Sequence, residues 1–231
     1  MALLALAGFA FLALHAVPAT ALRPKLVAAL GEKGYLGLYS LLALTILILW
    51  TRAFAGAPVD APLWAFPAWW PWLKAVLLLF AAFLFVAGVS TTDPLAPAAP
   101  GKPAPERPGT PKGIHTITRH PFLWSAGIWG VLHLISQPNL RGLFFYGLFA
   151  LLAFGGAKLI DIRKAAQFGE AWKPFAAQTS YLPFLALAEG RATLNCADIG
   201  WKRIGAAVAV WAGFLYLHAW LFSTSPLPGV L

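Results

Sequence analysis

The chain has 231 residues, 60% of them hydrophobic and 11% charged, with a formal net charge of +9 and a mean hydropathy of +0.72. Those values exclude a water-soluble globular domain and call for a lipid bilayer as solvent. The positive charge does not point to nucleic acid, because the basic residues lie in short segments between apolar runs and form no stripe with interleaved aromatics.

A helix crosses hydrocarbon in about 20 apolar residues, since each backbone N–H and C=O must be paired within the segment. In chain order the stretches that meet or approach this length are residues 2–22, 34–55, 69–90, 121–136, 141–160 and 201–222. The expected fold is therefore all-α, a polytopic integral membrane bundle of about six transmembrane helices. The first run is read as a retained span rather than a cleaved signal peptide, because no Lys or Arg precedes it and it is long for an h-region.

The distribution of Lys and Arg tests the six-span reading independently. Fourteen of the 17 basic residues fall in or beside the first, third and fifth connections, leaving Arg52, Lys74 and Arg141 for the others. The odd-numbered connections are thus expected on the cytoplasmic side and both termini outside. Trp64, Trp69, Trp70 and Trp72 cluster where the third span begins, as an interfacial belt does. Residues 93–113 carry seven prolines, which predicts an extended cytoplasmic linker. The organisation expected is a first three-helix half over 1–92, the linker over 93–113, and a second half over 114–231 with a cytoplasmic segment at 161–200.

Ionisable side chains within hydrophobic spans are costly and become functional candidates by default. Here they are histidines: His15 in the first span, His133 in the fourth and His218 near the outer end of the sixth. His115 and His120 lie at the entrance to the fourth. At 1.5 Å per residue, His15 is about 10 Å and His133 about 18 Å from the inner ends of their expected spans. Two imidazoles on different helices are suited to clamp a flat cofactor such as haem, while each is equally able simply to bond a neighbouring carbonyl or hydroxyl. His120 and His133 share one helix about 20 Å apart and cannot grip one iron. Arg119 and His120 precede Pro121, which suits a first helical position, and are placed to meet an anionic group or to anchor the interface. None of the eight acidic residues is well inside a span; Asp161, at the inner end of the fifth, has Lys158 and Arg163 nearby in sequence. Cys196 is the single cysteine, which rules out an internal disulfide.

The run Ile117-Thr118-Arg119-His120-Pro121-Phe122-Leu123-Trp124, followed by Trp129 and Leu132-His133-Leu134, resembles the NnrU family of membrane proteins. So do Leu14-His15-Ala16-Val17-Pro18-Ala19, Arg23, Gly31-Glu32-Lys33-Gly34-Tyr35 and Leu38-Tyr39-Ser40. The resemblance implies a multi-pass protein of the bacterial inner membrane that binds haem b. It implies either a redox-dependent cis-trans isomerase of a polyene, as in the related 15-cis-ζ-carotene isomerase, or a haem protein of denitrification and nitric oxide metabolism. By this resemblance His15 and His133 match the iron ligands, and His120 with Arg119 matches an alternate ligand or a propionate partner.

A second similarity, carried by Arg119-His120-Pro121, by Phe168-Gly169-Glu170 with Trp172 and Phe175, and by Tyr181-Leu182-Pro183, is to isoprenylcysteine and phospholipid methyltransferases. It implies S-adenosylmethionine at the cytoplasmic face. The chain departs from that pattern with Ser125 where a glycine usually follows, Trp172 in place of tyrosine, and Asp161 in place of glutamates.

Overall fold

The computed structural model describes residues 1–96 and 105–228. The middle of the proline-rich stretch expected as a linker lies outside the described residues. Helix follows apolar sequence throughout: α1 Ala2–Ala16, α2 Leu22–Gly56, α3 Trp70–Ser90, a short α4 Ile114–Ile117, and α5 Pro121–Ser136. A three-residue α6, Leu140–Gly142, leads through a π-helical turn at Leu143–Gly147 into α7, Leu148–Phe168. Three short helices follow, α8 Trp172–Ala177, α9 Leu185–Ala188 and α10 Cys196–Ile199, before α11 Trp201–Phe222. Among the described residues five helical stretches are long and apolar enough to cross a membrane, and α5 is a shorter apolar helix of 16 residues. Large apolar side chains such as Trp201, Tyr216 and Trp220 are exposed on α11, the arrangement expected of a helix facing lipid rather than water.

Three local features depart from the sequence reading. Residues 23–33, expected as a connection, belong to α2, which bends at Gly31 with φ +70; only glycine takes that conformation at no steric cost. α1 ends at Ala16 and is followed by a 3-10 turn through Pro18, so His15 sits in the last turn of its helix instead of well inside it. The start of the fifth span is wound as a π turn, a local widening often found beside functional positions.

The chain folds as two compact units that combine pieces of both sequence halves. Unit 1 comprises Met1–Pro67 and Gly130–Gly156. Its core is aromatic: Trp50 is fully buried, with Phe11, Phe145 and Phe149 around it at ring-centroid distances of 5.5, 4.8 and 6.1 Å. Close helix approach requires small residues, and a Cβ at Gly8 would lie 2.7 Å from Leu148 and 3.0 Å from the Trp50 indole nitrogen. The loop after α2 is fastened to the end of α5 by the Leu63 N–H, which donates to the Pro138 carbonyl, and by Trp64 Nε1, which donates to the Ile135 carbonyl at 3.1 Å.

Unit 2 comprises Ala68–Trp129 and Ala157–Leu231. Leu84, Ala87, Ile114, Ile117 and Ile199 form one buried cluster, and Leu95, Phe168 and Phe175 another. α11 is pinned to α3 at two points, its middle and its start: Trp211 Nε1 donates to the Ala75 carbonyl at 2.7 Å, and Arg203 donates to the Ser90 carbonyl and hydroxyl.

Candidate functional site

In unit 1 His15 and His133 are set among aromatic rings. His15 packs on Phe11 (4.3 Å) and edge-on to Tyr39 (5.9 Å), and its Nδ1 is 2.8 Å from the Phe11 carbonyl one turn back. A carbonyl partner at that distance makes Nδ1 the donor of this bond, so Nε2 is the ring nitrogen it leaves unengaged. That is the orientation by which backbone carbonyls prepare metal-ligating histidines. His133 stacks on Tyr146 at 5.2 Å. Ring contacts run from one histidine to the other through Phe11, Trp50, Phe145 and Tyr146. Their partners on or beside α2, Tyr39 for His15 and Phe54 for Tyr146, are separated by about 22 Å of helix.

Unit 2 holds a different constellation. Arg119 and His120 stand just before Pro121 opens α5, and both converge on Asp161 of α7. Arg119 donates to both carboxylate oxygens, from Nε at 3.1 Å and from its terminal nitrogen at 2.7 Å, and its other terminal nitrogen reaches Thr179 Oγ1 at 3.1 Å. His120 Nε2 meets the remaining oxygen face at 2.7 Å. All three side chains are buried to about a tenth exposure or less. Burial of charge is tolerated because each ion is paired and hydrogen-bonded at once. The indole of Trp172 lies beneath the guanidinium at 5.6 Å.

The segment after α8 is bonded onto the same place. The Arg119 N–H donates to the Ser180 carbonyl, Thr118 Oγ1 to the Tyr181 carbonyl, and the Phe184 N–H to the Ile117 carbonyl. Phe184 adopts φ +66, a left-handed conformation costly for an aromatic residue, and this bonding holds it. Burial, and then the charge of Asp161, raise the Tyr181 phenol above its ordinary pKa. Beside the network a groove of about 600 Å3 is lined by Arg119, Thr179, Tyr181, Leu185 and Arg191 among others. Arg191 is itself engaged by Glu189 and by the carbonyls of Ala177 and Thr179.

His115, on α4, is 2% exposed, and neither ring nitrogen has a hydrogen-bond partner. Burial lowers its pKa, offset in part by Asp93. His218 bonds the Thr224 carbonyl through Nδ1. Among the described residues no group of three or more His, Cys, Asp or Glu side chains is placed to hold a metal ion.

The residues singled out in the sequence thus separate: His15 and His133 belong to unit 1, Arg119 and His120 to unit 2. Asp161, which organises the latter pair, went unrecognised because its sequence neighbours Lys158 and Arg163 suggested themselves as partners, and a residue 42 positions away did not. Thr179 carried no signal of its own.

Fold and site together define a multi-pass α-helical membrane protein with an aromatic, histidine-bearing unit and a buried Arg–Asp–His network. The model of the NnrU protein family matches residues 3–226, and the chain belongs to that family. No curated protein and no solved structure matches it.

Proposed function

We propose that this NnrU-family protein binds haem b in the bacterial inner membrane, with His15 and His133 as the candidate iron ligands. The observation that carries the reading is the setting of these two imidazoles. Both are in aromatic contact within one compact unit, and His15 presents Nε2 because Nδ1 is committed to the Phe11 carbonyl. The donor set fits: neutral imidazole is a good iron ligand, and an aromatic interior suits a macrocycle. Each histidine is a candidate in its own right, since the contacts linking them pass through four intervening rings.

Haem, when bound, supplies a one-electron redox centre. The chain's own contribution is to orient the imidazoles, exclude water through the Trp50–Phe145–Phe149 packing, and offer an apolar approach for a lipophilic molecule. Cis-trans isomerisation of a polyene and a role in nitric oxide metabolism are the two activities this supports. A bound polyene that shifts the haem spectrum favours the first, and a response to nitric oxide alone favours the second.

The test is haem retention by variants purified from haem-replete cells. His15→Ala and His133→Ala are expected each to lower haem content, and His218→Ala to leave it unchanged. Wild-type content in both of the first two overturns the assignment.

A second reading has its own support. The Arg119-His120-Pro121 turn and the stretch ending at Tyr181 meet in unit 2 through direct hydrogen bonds, beside the groove. An S-adenosylmethionine-dependent methyltransferase would use that juxtaposition. Against it, the Arg119 guanidinium and His120 Nε2 are already spent on Asp161. Binding of S-adenosylmethionine by protein without a Soret band would favour this second reading.

A further inference from the structure

Arg141 opens the corner between α5 and the π turn in unit 1, and its guanidinium has no hydrogen bond or ion pair among the described residues. Its Nε is buried and unpartnered, and its Cζ lies 4.7 Å over the Phe54 ring. Phe54 meets Tyr146 edge-on at 5.3 Å, and Tyr146 stacks on His133. A buried donor without an acceptor is expensive, and native structures keep one where something else supplies the acceptor.

No described residue supplies it. The Asn139 side chain is occupied in capping the Gly142 N–H at 2.8 Å. Asp60 has a buried, unpartnered Oδ2 of its own and forms no ion pair with Arg141. Of the other arginines, Arg23, which lies over Tyr35 toward the His15 end, bonds Glu32 at 2.7 Å, Arg119 bonds Asp161, and Arg52 is exposed on α2. Among the described residues of the unit, the guanidinium with a buried, unpartnered nitrogen accompanies the imidazole of His133.

We propose that Arg141 is a carboxylate-binding site for the propionate edge of a porphyrin whose iron is served by His133. This rests on the haem reading and adds to it an orientation, with the propionate edge lying at the His133 end. A porphyrin of this class carries both carboxylates on one edge, and a guanidinium offers a planar fork matched to a carboxylate. Phe54 and Tyr146 form the aromatic surface joining that fork to the imidazole. Arg119, whose fork is already closed on Asp161, is the less suited propionate partner.

The experiment compares two ligands on haem-free full-length protein in phosphatidylcholine nanodiscs: iron protoporphyrin IX, and its dimethyl ester, in which both carboxylates are masked. Affinity is read from the Soret band. Wild type is expected to bind the free acid about tenfold or more tightly than the ester, the scale of one charge-assisted contact. Arg141→Ala should erase that preference by weakening the free acid while leaving the ester unchanged, which also shows the variant to be folded. Arg141→Lys should retain part of the preference, and Asp60→Asn all of it. An undiminished preference in Arg141→Ala, or none in wild type, overturns the Arg141 site with the haem reading intact. Binding of neither ligand by wild type overturns both.

Discussion

Replacing Asp161 with alanine removes the carboxylate from between Arg119 and His120 and leaves a guanidinium at 11% side-chain exposure with three of its hydrogen bonds gone. Breaking a buried pair from one side costs about 3–5 kcal/mol, because the surviving ion keeps its desolvation penalty and loses its compensation. For a chain of this size 1 kcal/mol moves the midpoint by about 2–4 °C, so the expected loss in Tm is roughly 6–20 °C. The network also fastens the Thr179–Phe184 segment, and limited proteolysis between α8 and α9 should accelerate in parallel. Replacing both partners, Arg119→Leu with Asp161→Leu, removes the stranded charge as well as the pair. That double variant is expected to lie much closer to wild type than Asp161→Ala does. The measurement is thermal unfolding in detergent followed by tryptophan fluorescence, with the Arg119→Leu and Asp161→Leu single variants completing a double-mutant cycle. An Asp161→Ala shift below about 2 °C, or a double variant as unstable as the sum of the singles, would refute the reasoning.

Other positions give independent tests. His115→Leu removes two buried, unpartnered polar atoms and should stabilise the protein by about 1–3 kcal/mol near neutral pH. Because burial lowers the His115 pKa, the unfolded chain binds the extra proton first. Wild-type stability should therefore fall as pH drops below the unfolded value of about 6.5. The leucine variant should lose that part of the slope, and an unchanged slope would count against the buried neutral imidazole. Gly8→Val should cost about 1–3 kcal/mol through overpacking against Leu148 and the immobile Trp50 ring; a neutral Tm would mean that α1 approaches its neighbours less closely than described. Cys196, the single cysteine and an exposed one, reports topology. An impermeant maleimide should label it in inside-out vesicles and not in intact spheroplasts, and the reverse pattern would invert the proposed orientation.

The apolar helices were readable from the sequence because the bilayer demands length and composition, and both are local properties. The bounds of α3 and α11 fall within a residue of the apolar stretches that announced them. Charge misled over residues 23–33, where the segment bearing Arg23, Lys25 and Lys33 continues as helix through a bend at Gly31. His15 moved to a helix end because Pro18 brings on a 3-10 turn that hydropathy does not register. The site was legible only in residue type. Arg119, His120, His15 and His133 were visible as polar groups out of place, but their partners are set by long-range packing. Asp161 lies 42 residues from Arg119, and no periodicity connects them. Arg141 read as one more charge in an outer connection, since only the folded chain reveals that a guanidinium has gone unpaired.

The most direct test of the central claim is an oxidised and dithionite-reduced absorption spectrum of the detergent-purified protein, with a pyridine haemochrome determination of stoichiometry. Haem b at close to one per chain is expected, with a Soret band that shifts on reduction. A colourless protein from haem-replete cells would contradict it.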